Sequence, residues 1–537
     1  MYYKLYNDKK IYKFKYINYL DNINKVNISY LNLSNAKIKK LPNLSKFINL
    51  KTLICKNNQL TILPNLTKLK YLKIIICSYN KLTELPDLSK CTKLETLCCN
   101  KNKLTKLPDL SQCINILHLN CHYNELTELP NLYNCTKLRI LLCQHNKLTK
   151  IPNLSKCVNL LYLYLNFNKL NEIPDLSKCI MLLNLWLFNN NLNKLPDLSK
   201  CTILKNLHLS NNNLTTLPDL SKCTNLESLF LNNINLTILP DLSQCVNLKE
   251  LYCNNNQLTI LPDLSQCINL QILKCNNNKL IELPDLSLFI NLKELTFYNN
   301  QLTQLPNLPI NLTILFCHNN KLTQLPQLPD TLIELYCYNN QLTELPDLPI
   351  NLKILNCYNN QLTQLPKLPI NLKCLFCSDN KLTQLQELPT NLKLLSCHNN
   401  QLTQLPNLPD NLIYLYCFNN KLLQLPELPI NLELLNCSNN KLSKLPILPK
   451  KLNILECINN NLIYLPIFPN KLTIIHCCDN KIINYFKCFG KSIFLSNYKK
   501  YNSYKYILKV NYLLDYTIKY YYYYTIEKYY KNLYSTL

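Results

Sequence analysis

His476, Cys477, Cys478 and Cys488 put four metal-ligating side chains into one short stretch, and a zinc ion takes such a set of donors. Spacing argues against a site. Cys477 closes a series in which cysteine returns at 317, 337, 357, 377, 397, 417, 437 and 457, and earlier at 55, 77, 99, 121, 143, 253 and 275. Leu165, Leu187, Leu209 and Leu231 fill the same slot in the copies between. A position shared by cysteine and leucine is a packing position, because a free thiol behaves as a small buried hydrophobe. A second series, Cys91, Cys113, Cys135, Cys157, Cys179, Cys201, Cys223, Cys245 and Cys267, shares its slot with Phe47 and Phe289. The 29 cysteines therefore predict a core, not a disulfide framework and not a metal centre.

Other chemistry is equally thin. The seven histidines, His118, His122, His145, His208, His318, His398 and His476, fall on outward strand or turn positions scattered among the repeats, which pairs none of them with a nucleophile. Gly490 is the only glycine, so no glycine-rich phosphate loop or dinucleotide fingerprint can be written. Neither an enzyme nor a bound cofactor is expected.

These slots belong to an internal repeat. Proline recurs with a 22-residue period from Pro42 to Pro306, then with a 20-residue period from Pro306 to Pro466, with Gln386 in one vacant place. Units such as Leu217–Ile238, LPDLSKCTNLESLFLNNINLTI, are too small to close a core alone and must stack on their neighbours. Within each, x-Leu-x-Cys-x alternates sides as a strand does, with Leu53 and Cys55 inward and Thr52, Ile54 and Lys56 outward. The spacing predicts some twenty-two parallel strands. An Asn three residues past the Cys, as at 58, 80 and 320, is expected to satisfy the turn that leaves each strand. Ile234 interrupts that series and predicts a weak turn.

The pattern L-x-x-L-x-[LC]-x-x-N-x-L resembles the leucine-rich repeat. The 22-residue copies are similar to the internalin and phosphatase-regulator type, and the 20-residue LPxLP copies to the short repeats of bacterial effectors. That resemblance implies an α/β-type solenoid, a horseshoe with a parallel sheet on its concave face. LSKC segments are expected to form short helical turns on the convex side, and LPxLP segments polyproline-like ones. The divisions are 1–27, a basic and Tyr-rich cap segment; 28–305, the 22-residue repeats; 306–480, the 20-residue repeats; and 481–537, a Lys- and Tyr-rich cap or tail. Some similar effectors carry a ubiquitin-ligase domain with a catalytic Cys-x-Asp. Cys377-Ser378-Asp379 and Cys477-Cys478-Asp479 match that spacing, but each Cys lies in the packing column. The Asn-, Leu-, Tyr- and Lys-rich usage suits an AT-rich genome, such as that of a giant virus or protist.

The formal charge of +26 is concentrated at the ends, where residues 1–40 carry nine Lys against two Asp. No start-like apolar core or spanning run is present, so a cytoplasmic, monomeric protein is expected. The functional signal lies on the outward strand positions. One patch collects Tyr162, Tyr164, Phe167, Trp186, Phe188, His208, Phe230 and Tyr252, and a second Phe316, Tyr336, Tyr338, Tyr358, Phe376, Tyr414, Tyr416 and Phe418. Outward aromatics on neighbouring strands form the kind of apolar surface that binds protein. The expected function is a protein-binding scaffold. The alternatives are a regulatory subunit or adaptor for a phosphatase or ubiquitin ligase, and membrane or nucleic-acid binding through the basic tail.

Overall fold

A computed structural model describes residues 3–7, 10–14 and 28–482. Twenty-two parallel strands, from β3 (Ile28–Asn32) and β4 (Thr52–Ile54) to β24 (Ile474–His476), pair one repeat to the next in unbroken register. Leu53 stands beside Ile75, and Leu315 beside Leu335. At the amino-terminal edge β1 (Tyr3–Asn7) and β2 (Lys10–Phe14) form a hairpin, and β1 pairs antiparallel with β3 through Leu5 and Leu31. The first repeat strand thus has a partner on both sides, and the sheet edge moves out to β2.

The core runs the length of the stack. Leu220, Cys223, Leu226, Leu229 and Leu231 of one unit are fully buried, as are their counterparts in the units around them. Burying a side chain of this size stabilises by about 1.5–3 kcal/mol, most of it offset by chain entropy, so a lone repeat has no stable fold. Both cysteine series lie in this core, as the interchange with Leu and Phe predicts, except that Cys477 at the last repeat is half-buried against it.

Asparagine holds the repeats together in three separate files. In the turn leaving each strand, Asn340 Nδ2 donates to the carbonyls of Cys317, Cys337 and Tyr338, and its Oδ1 accepts from the Leu322 amide. One side chain therefore closes two adjacent turns, as the spacing suggested. The residue before it is left-handed in every repeat, and there Asn277 Nδ2 reaches Asn255 Oδ1 at 2.5 Å and Asn359 reaches Asn339 at 2.7 Å. On the convex side Asn115 donates to the Thr92 carbonyl and Asn371 to the Ile350 carbonyl.

The expected helical turns are corrected: no helix is present among the described residues. Asp87 accepts from the Ser89 amide at 2.8 Å, then Cys91 donates to Leu88 and Leu94 to Cys91, giving two single turns in succession. Leu94 must already face the core, so the segment ends before an i to i−4 bond can form. In the 20-residue units one such turn remains, with Leu332 donating to the Pro329 carbonyl.

Candidate protein-binding face

The outward strand positions form files, because parallel register places each over its equivalent one repeat away. Trp186 lies between Tyr164 and His208, and His208 between Trp186 and Phe230. The rings stack in pairs, and the pairs touch through tilted contacts. Tyr164 and Trp186 are 4.2 Å apart and nearly parallel, Phe188 and His208 are 4.0 Å apart, and Phe230 and Tyr252 are 4.7 Å apart. His208 joins Phe230 at 4.7 Å and Phe188 joins Trp186 at 6.3 Å, while Tyr162 meets Tyr164 edge-on. The first expected patch is therefore one continuous, half-exposed ring array, bounded by Lys274, which lies over Tyr252 and pairs with Glu294 at 2.6 Å.

Between Thr96 and Asn255 the outward strand positions and the left-handed turn position hold two charged side chains, Lys101 and Glu250. Aromatic enrichment with few charges is the composition of an interface centre. Burial within the stack pushes the His208 imidazole down to about 4, so the array carries no charge there at neutral pH.

The second patch is arranged differently. Its rings were expected to form an exposed surface, but Tyr336, Phe376 and Tyr416 are buried at 6, 2 and 6 % exposure. Tyr336 and Phe376 join Ile354, Cys374 and Leu394 in a small apolar cluster on the strand face, with Phe316, Tyr338 and Tyr414 against it. Tyr336 donates its hydroxyl to Glu334, whose carboxyl is raised by burial. The half-exposed rings run beside this cluster: Tyr338 and Tyr358 continue a stack that begins at Tyr298 and His318, whereas Phe418 stacks only on His398. Ser378 falls between the two runs.

A third file escaped the sequence reading. Tyr79, Lys101, Tyr123, His145 and Phe167 occupy the left-handed turn position before the ladder Asn. His145 stacks on Tyr123 and on Phe167, at 4.0 and 4.1 Å, and Phe167 meets Phe188 edge-on at 5.2 Å. Only Phe167 of these belongs to the first aromatic patch; the other four sit where a turn residue is ordinarily set by backbone needs. Holding a non-glycine, non-Asn residue left-handed costs on the order of 1–2 kcal/mol.

The Cys-x-Asp pairs offer no nucleophile. Burial, then the thiols of Cys397 and Cys357, pushes Cys377 far up, and burial with Cys478 beside it pushes Cys477 to about 11. No group of three or more His, Cys, Asp or Glu among the described residues could hold a metal ion.

Comparison with known proteins places this geometry. The model of the family "Leucine Rich repeats (2 copies)" matches residues 72–112, 136–178 and 246–288. No curated protein is matched. The structure of YopM from Yersinia enterocolitica is 33% identical, overlaps 83% of this chain and 91% of that one, and superposes with a TM-score of 0.68. The Arabidopsis receptor kinase HAESA, solved in complex with the peptide hormone IDA and the co-receptor SERK1, is 25% identical over 82% of this chain and 87% of that one, with a TM-score of 0.62. Repeat period, register and likeness to YopM agree, and the chain belongs to the leucine-rich repeat family.

Proposed function

We propose that this chain is a protein-binding scaffold whose docking centre is the ring array from Tyr164 through Trp186 and His208 to Tyr252. The observation that carries this reading is the unbroken run of ring contacts across neighbouring strands, on outward strand positions nearly free of charge. A rigid aromatic surface loses little side-chain entropy on contact, which makes Trp and Tyr strong anchors. The HAESA complex, in which a related fold carries a peptide hormone and a co-receptor, supports the same use of the scaffold. The paired replacement Trp186→Ala and Tyr164→Ala removes anchors from the outer side of the sheet without touching the core. Its expected effect is a loss of about 2 kcal/mol or more in binding, roughly thirtyfold. Quantitative affinity capture from the source cell compares wild type, this pair and Ile350→Ala on the convex side. Partners should be lost with the pair alone, and their full retention by the pair would sink the assignment.

A further inference from the structure

Five consecutive turns break a rule that the rest of the solenoid keeps. The residue before the ladder Asn is left-handed in every repeat, with φ between 49 and 58°. Asn and Asp are the relaxed non-glycine residues there. At Asn35 and Asn57, and from Asn189 on to Asp479, the position is Asn or Asp; between them it is Tyr79, Lys101, Tyr123, His145 and Phe167.

The exchange gives up two things. It forgoes the relaxed backbone, and it forgoes amide links such as Asn57 to Asn35 at 2.6 Å. Stacking returns some contact, since Lys101 Nζ lies 4.7 Å from the Tyr79 ring and 5.1 Å from that of Tyr123. Yet Tyr79, Tyr123 and Phe167 remain 49, 45 and 41 % exposed, showing water an apolar surface that Asn would not. A file that strains the backbone and exposes rings is not explained by folding. Binding explains both features.

The arrangement of the rings selects the partner. His145 stacks on both Tyr123 and Phe167, and Lys101 lies over the Tyr79 and Tyr123 rings, so what the file turns outward is mainly ring edge, the electropositive part of an aromatic. Lys101 adds an ammonium group to the file. Two residues further along each turn, Lys81, Lys103, Lys147 and Lys169 stand exposed against one acid, Glu125, which Lys147 holds at 3.1 Å. Nucleic-acid bases need open ring faces, and these are taken. Carboxylates need only edges and ammonium groups. We propose that the rim from Tyr79 to Phe167 docks an acidic polypeptide segment, laid across five repeats. At strand spacing the rim is about 19 Å long, the reach of about six extended residues. It adjoins the strand-borne array through Phe167 and Phe188 but does not depend on it.

The test uses the full chain and a fluorescent poly-glutamate peptide, with poly-lysine and oligo(dT) as comparisons, followed by anisotropy. Tyr79→Asn, Tyr123→Asn and Phe167→Asn are combined, because Asn is what neighbouring turns already carry. Wild type should bind poly-glutamate, less so as salt rises. The triple variant should bind about tenfold more weakly or worse, with a thermal midpoint equal to or above wild type. Lys101→Gln, which removes the ammonium alone, should also weaken binding, whereas Trp186→Ala should not. Unchanged binding by the triple variant, no binding by wild type, or preference for oligo(dT) would overturn the proposal. A lower midpoint in the triple variant would do the same, since the rings would then be serving stability.

Discussion

A histidine held between two rings has little room for a proton. His318 is 7 % exposed, with Tyr298 at 4.4 Å and Tyr338 at 4.1 Å on its two faces. Burial lowers its imidazole to about 4, and that of the still more enclosed His398 to about 3. In the unfolded chain both titrate near 6.5. Folded values below the unfolded one mean that the unfolded chain binds more protons in acid. Their contribution is therefore complete above pH 6.5 and lost as pH falls from there toward 4 for His318 and toward 3 for His398. At the steepest part each proton is worth about 1.4 kcal/mol per pH unit. His476 runs the other way: the Glu456 carboxylate 3.6 Å away raises it, giving stability that is present in acid and lost as pH rises through the raised value. The buried histidines outnumber it, so urea midpoints should fall between pH 7 and pH 4.5. His318→Phe, which keeps the stack and drops the titration, should flatten that slope; an unchanged slope would show that the ring is protonated in place.

The element that matters most is the turn, and its asparagine was legible because its bonds repeat at fixed spacing. Asn58 and Asn340 make the same contacts in repeats far apart along the chain. The other two files were not legible. Asn115 reaching the Thr92 carbonyl depends on the path of the return half, which neither Pro nor LSKC specifies, and Asn abundance alone reads as codon bias. The same ignorance of that path produced the helix that is not there. Ile234 tests the ladder directly. Leu192 and Leu236 donate their amides to Asn212 and Asn256, but Leu214 has no asparagine to reach, because position 234 is a fully buried Ile. Amide exchange at Leu214 should be faster than at Leu192 and Leu236. Ile234→Asn should slow it to their rate, although the bond gained, worth about 1 kcal/mol, is set against the apolar burial given up. Equal rates at all three in wild type would mean that another group closes the turn.

At the scale of the molecule, one core joins all the repeats, and that much followed from a 22- and 20-residue period filled by Leu and Cys. The strand face is less legible. Alternation marks Tyr336, Phe376 and Tyr416 as outward, which they are, but outward is not exposed when neighbouring strands lie about 4.8 Å apart and each carries a large side chain. The files that crowd are set by neighbours one repeat away, Ile354, Cys374 and Leu394 among them, and no single repeat shows it. The cysteine files give the whole stack an internal probe. Cys121 and Cys143 lie with sulfurs 3.4 Å apart and no disulfide between them. The thiols of Cys55 and Cys357 are pushed up to about 12 by burial, and no water reaches them. The thiolate is the reactive form, so these residues should be silent until the solenoid opens. Among the described residues Cys478 alone is exposed. Ellman's reagent on the native protein should therefore label Cys478 quickly, together with Cys488, which lies outside the described residues, if that thiol is open. Labelling of the packing files should wait for denaturant and follow the unfolding curve. Because each repeat touches only its neighbours, opening is expected to begin at the weak turn beside Ile234, with Cys223 and Cys245 labelled at lower urea than Cys357 and Cys377. If the four were labelled together, the array would be unfolding as a single unit, and the gap at position 234 would not be a point of failure.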